Sequence, residues 1–201
     1  MLIISELRVL HADALADCSE FVGRAARTDL RQPTPCRGWD LAALLGHMAG
    51  QNAGFAVAVE KGDADRAAYE PPPITPPSLV TTWAGSVDRV RAAFARADPQ
   101  AEVNLAELDR QVTVAQALRM QLLDSAVHAW DVAATLGLAY RPSAEIAALV
   151  LDFARDIAAR PGGTPGVFAA ARPEGGLDPW ADALRLLGRD PEAGIKPPRA
   201  S

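Results

Sequence analysis

The chain has 201 residues, 49% of them hydrophobic and 22% charged, and a formal charge of −5. That is enough apolar sequence for a real core, which excludes a disordered chain. The negative balance speaks against a general nucleic-acid or anionic-membrane surface. No apolar run reaches bilayer length, MLIISELRVLHADAL has no basic leader region, and Cys18 and Cys36 make no disulfide framework, so a cytoplasmic protein without membrane or nucleic-acid partners is expected.

Periodicity near 3.6 residues recurs along an alanine-rich chain with few β-branched runs. Helix one is expected from Ser5, as cap, to Arg27, with Leu7, Leu10, Ala14, Leu15, Cys18, Phe21, Val22 and Ala25 facing inward. RQPTPCRGWD is a loop, and Asp40 caps helix two, LAALLGHMAGQNAGFAVAVEKG, which Gly62 and YEPPPITPP end. Ser78 caps helix three, to about Ala97. Residues 98–112 read as irregular, with a short extended piece at Val103–Leu105. Thr113 caps helix four, which runs to Leu136 with Gly137 at its C-terminal turn. Ser143 caps helix five, ending near Ala159; Asp178 and Pro179 then open a short last helix, and the tail from Arg189 is expected to be loose. The expectation is an all-α protein: an antiparallel bundle over residues 1–160, with 161–201 forming a Gly/Pro-rich connector, a short helix and a tail packed on the same domain.

Helix four is apolar nearly all round, yet it carries Asp124, His128 and Asp131 in "LLDSAVHAWDVAATLG". At 100° per residue these three share one stripe, Asp124 about 40° from His128 and about 20° from Asp131. A buried carboxylate needs a partner or a metal. His47 lies at the edge of the apolar stripe of helix two, with Gln51 on the same edge. A carboxylate and an imidazole one turn apart, with a second imidazole from a neighbouring helix, make a three-ligand set with an open position. That pattern suits a catalytic zinc, and nickel, manganese or ferrous iron are alternatives. An Asp-x-x-x-His pair is also commonly no more than an intrahelical hydrogen-bonded pair.

The blocks "TPCRGWDLAALLGHMAG" (34–50), "LLDSAVHAWDVAATLG" (122–137) and "PWADALRLLGRDP" (179–191) resemble the mycothiol-dependent maleylpyruvate isomerase N-terminal-domain family, in its single-domain actinobacterial branch. The resemblance implies a DinB-like four-helix bundle holding a divalent metal, with His47, Asp124 and His128 as ligands. Relatives often carry Glu or His where Asp124 stands. It further implies mycothiol, or a similar small thiol, as cosubstrate for a transferase or isomerase acting on an electrophile, and it allows a homodimer. Residues 160–201 are too short and broken for the second domain of the two-domain isomerase, and no residue here matches a thiol contact. A non-enzymatic, metal-stabilised module acting through a partner is the competing reading; hydrolysis by a zinc-bound hydroxide is a third.

Asp131 is expected either to orient His47 or His128 through the free ring nitrogen or to tie down the loop before helix two. In the enzyme reading it also manages a proton. Trp39 reads as a hydrophobic staple ahead of the Asp40 cap, Trp83 and Trp130 as core, Cys36 as a small buried hydrophobe and His11 as surface. Arg37, Arg119 and Arg141 are available for an anionic substrate, with nothing to choose among them.

Overall fold

A computed structural model describes residues 3–160 and 168–192. The order is α1 (Ile4–Ala25), α2 (Leu41–Lys61), β1 (Asp63–Ala64), a 3-10 turn (Arg66–Tyr69), α3 (Leu79–Arg96), β2 (Glu102–Leu105), β3 (Arg110–Thr113), α4 (Val114–Thr135), α5 (Ala144–Ala158) and α6 (Pro179–Leu186). Helix α1 packs on α4 and α3, α2 packs on α3 and α4, and α6 packs on α5. The core lies where their apolar faces meet, at residues such as Leu15, Leu44, Leu45, Phe94, Leu118 and Leu122. Among the described residues no helix is long and apolar enough to cross a membrane.

Most helix starts follow the predicted caps. Asp40 Oδ1 accepts from the Ala43 amide at 2.8 Å. Ser143 Oγ accepts from Ile146 at 3.2 Å, and Asp178 caps α6 ahead of Pro179. Thr113 and Gln116 exchange both bonds of a capping box at 3.2 and 3.0 Å, so α4 starts at a fixed residue. Gly137 sits at φ 68° just past the end of α4, as its position suggested. Helix α1 instead begins two residues earlier than the Ser5 cap would set it. The Glu6 carboxylate reaches back to the Ile3 amide at 2.9 Å and does that work. Ser78 stands at the α3 cap position, but its hydroxyl accepts from the Thr75 amide rather than from the helix.

The strictly all-α expectation is corrected by a small three-stranded sheet. Strand β2 pairs antiparallel with β3, Val103 opposite Val112, and β1 joins β2 in parallel, Asp63 opposite Asn104. Val103, Leu105 and Val112 point inward while their neighbours face out, a two-residue alternation too short to stand out within 98–112. Asp109, at φ 48°, closes the hairpin; Asp tolerates that left-handed turn better than most residues. Residues 66–72 press against α2 where it carries Gly50 and Gly54. A Cβ on Gly54 would lie 2.1 Å from Tyr69 Cδ1, and one on Gly50 2.6 Å from the Tyr69 carbonyl oxygen.

The expectation of a loose tail from Arg189 is corrected at its first residue, while residues 193–201 lie outside the described residues. Leu187 is fully buried and Arg189 folds back onto α4. A buried cation needs a buried anion, and α4 supplies one.

Candidate metal centre

Helix α2 carries His47 and helix α4 carries Asp124 and His128, and the packing of α2 on α4 brings the three together. His128 Nε2 lies 3.4 Å from Asp124 Oδ1, and His47 Nε2 lies 3.9 Å from the same oxygen. Both separations exceed normal hydrogen-bond lengths, yet three atoms, each bound to one cation at about 2.0–2.2 Å, would stand about this far apart. The two imidazole rings meet edge to face at 5.1 Å between centroids.

The charges around these atoms favour a cation. Burial pushes His47 down to about 4, against the opposing pull of Asp124, so its ring is neutral and its lone pair free. Burial also works against a charged His128, but Asp124 and Asp131 on either side outweigh it and raise its affinity for a proton. Burial raises Asp124, and the neighbouring His128 more than reverses this, leaving it an anion. The field that draws a proton to His128 Nε2 would equally draw a divalent ion.

Behind His128 stands a second set of groups. Asp131, fully buried, faces His128 Nδ1 at 2.8 Å through Oδ2. The same oxygen accepts from Cys36 Sγ at 3.2 Å and from Arg189 at 2.8 Å. Burial would raise the Asp131 carboxyl, but the Arg189 charge more than offsets this and holds it far below the usual range. Both expected contacts of Asp131 are therefore present: one to a histidine ring nitrogen, one to the loop before α2. Held as an anion beside the Arg189 guanidinium, it is placed to accept from His128 and Cys36.

Three other expectations need correction. Cys36 is no apolar filler: it is half-buried and bonded to Asp131, with the Arg189 guanidinium 3.6 Å from its sulfur. Trp39 is 37% exposed, and its ring lies 4.7 Å from that of His47, so it walls the site rather than stapling a helix. His11 is 2% exposed and bonds Gln121, which in turn donates to Asn52 Oδ1 at 2.6 Å and accepts from Ser125 at 3.1 Å. His11 stands four residues from both Leu7 and Leu15, so the inward stripe of helix one already contained the signal. Arg141 is taken up by Asp178. Two residues lie outside any helical stripe: Arg189 is distant in the chain from its partner, and Glu107, at the hairpin turn, accepts from Gln51 Nε2 at 2.6 Å. Burial raises the Glu107 carboxyl, Gln51 opposes this, and the Asp124 charge adds to it.

The burial of His11 makes stability depend on pH. Its pKa is pushed down from 6.5 to about 4 by burial, with Gln121 opposing. Between those values the unfolded chain binds more protons than the folded one, so stability falls as pH falls through that window. The loss reaches about 3 kcal/mol at the acid end. Urea unfolding of metal-free protein at pH 6.5 and pH 4 should show a loss that shrinks by roughly that amount in His11→Asn; an equal loss in both proteins would contradict the assignment.

Residues 11–133 match the family described as the mycothiol maleylpyruvate isomerase N-terminal domain. No curated protein matches the sequence. Among solved structures, the crystal structure of the mycothiol-dependent maleylpyruvate isomerase superposes with a TM-score of 0.64 at 16% identity, covering 76% of this chain and 70% of that one. A histidine-to-alanine mutant of that isomerase gives 0.64 at 17% identity with the same coverage. At such identity these structures speak for the fold, while the family match spans more than half of the sequence. The chain belongs to the mycothiol maleylpyruvate isomerase N-terminal domain family.

Proposed function

We propose that the protein binds a divalent metal, zinc first among the candidates, through His47 Nε2, Asp124 and His128 Nε2 in a DinB-like bundle. We propose further that it is a metal-dependent transferase or isomerase using a low-molecular-weight thiol such as mycothiol. The observation that carries the reading is the convergence of two imidazole nitrogens on one carboxylate oxygen at separations longer than a normal hydrogen bond. The donor set fits zinc: two nitrogens and one oxygen are supplied by the chain, and a fourth position is left for a ligand from solution. A bound divalent ion would supply Lewis acidity and keep a coordinating thiol deprotonated at neutral pH. The chain's own residues do the rest. Asp131 holds His128 by its far ring nitrogen, and Trp39 lies against His47 as an apolar wall beside the ligand atoms. Glu107 accepts from Gln51, one turn along α2 from His47, and burial raises its carboxyl.

The alternative group, Cys36 with His128 and Asp131, is the weaker ligand set. The Arg189 guanidinium already occupies the Asp131 carboxylate there, and a second cation would be repelled.

The test is metal analysis of purified protein followed by assays of mycothiol with electrophiles, maleylpyruvate included, with and without chelator. Thiol-dependent turnover that disappears on chelation and returns with zinc is expected. Stoichiometric zinc with no turnover of any thiol–electrophile pair would leave the non-enzymatic, metal-stabilised module in its place.

A further inference from the structure

The segment after α6 reaches the rear of the candidate centre. The amides of Gly188 and Arg189 bond the Arg185 and Leu184 carbonyls at 2.9 and 2.8 Å, which turns the chain back. The Arg189 side chain, 9% exposed, then lies along Asp131. Its Nε donates to Oδ1 at 3.3 Å and its Nη2 to Oδ2 at 2.8 Å, while Nη1 donates to the Leu187 carbonyl at 2.9 Å. A guanidinium fork fixes both the charge and the plane of a carboxylate, which a single ammonium cannot do. A carboxylate so held only accepts, so the ring nitrogen facing it, His128 Nδ1, must carry hydrogen. The opposite nitrogen, Nε2, is then turned towards Asp124.

We propose that Arg189 is a positioning residue for the candidate metal centre: by gripping both oxygens of Asp131 it locks the His128 ring with Nδ1–H on Asp131 and Nε2 presented to the other ligand atoms. The consequence for metal rests on the reading above; the locking of the ring does not. A buried arginine that served stability alone could pair with a carboxylate anywhere in the core. This one pairs with the carboxylate that touches a candidate ligand.

The test reads the ring and the metal separately. In metal-free protein the His128 Nδ1–H should give an exchange-protected proton resonance in ¹⁵N-edited spectra. Arg189→Ala should lose that protection and weaken zinc binding by about 10–100-fold, the range typical of groups that orient a ligand. Arg189→Lys, which keeps a charge on Asp131 but cannot hold both of its oxygens, should recover only part of the protection and part of the affinity. His47→Ala should leave the Nδ1–H protected. Protection that persists in Arg189→Ala overturns the proposal, and lost protection with unchanged zinc affinity overturns its bearing on metal. If the wild type binds no zinc, the metal reading fails, while the Nδ1–H comparison still decides whether Arg189 locks the ring. Should Arg189→Ala not fold, the pair Asp131→Leu with Arg189→Met removes both charges and leaves no ion buried alone. It should fold and bind zinc about 10–100-fold more weakly; wild-type affinity in this pair overturns the proposal.

Discussion

Alanine in place of His47 or of His128 is expected to abolish stoichiometric zinc binding, weakening it by more than the roughly 100-fold that a supporting group can account for. In the proposed site each histidine would supply one of three protein ligands, and two remaining ligands rarely hold a divalent ion tightly. Asp124→Asn should be nearly as severe, because a neutral amide is a poor ligand and removes the charge on which both imidazoles converge. His11→Ala should keep full zinc occupancy, although it opens the buried contact to Gln121 and lowers stability. Isothermal titration against a competing chelator gives all four affinities. Full occupancy in both the His47 and His128 variants would place the site elsewhere.

The largest effect on stability is expected from Asp131→Ala. The substitution strands the Arg189 guanidinium without its anion in a nearly closed environment and removes the acceptor of Cys36 and His128. Breaking a buried ion pair from one side costs about 3–5 kcal/mol, because the surviving charge is left uncompensated. For a chain of this size that is a fall in Tm on the order of 10 °C. Asp131→Asn, which keeps the shape and can still accept one bond, should lose less. Chemical and thermal unfolding of the metal-free proteins measures both. An Asp131→Ala protein as stable as wild type would mean that the pair with Arg189 contributes nothing to the fold.

What the sequence revealed and what it hid follow from how local each cause is. Asp40, Thr113, Ser143 and Asp178 cap helices through bonds two or three residues away, so a reader of the chain can place them. The shared stripe of Asp124, His128 and Asp131 is likewise a property of one helix. The hairpin was only half legible, since four-residue strands carry two inward side chains each at most. Arg189 was misread because its partner is 58 residues away and nothing near it in the chain marks it as buried. Trp39 reads as a staple from its place before the Asp40 cap, and Cys36 as core from its residue type; tertiary packing instead sets them beside His47 and Asp131. Long-range polar contacts carry no periodicity, so the groups behind the candidate ligands could not be read as the shared stripe of α4 could.

The central claim is that a divalent ion is held by His47, Asp124 and His128, and the most direct measurement is a crystal of zinc-loaded protein with anomalous data collected on both sides of the zinc edge. The account predicts one strong peak within about 2.0–2.2 Å of His47 Nε2, an Asp124 carboxylate oxygen and His128 Nε2, with Arg189 still paired to Asp131. A peak on the other face of His128, bonded to Nδ1, Asp131 and the Cys36 sulfur, would contradict it, as would a map with no peak at this end of α2 and α4.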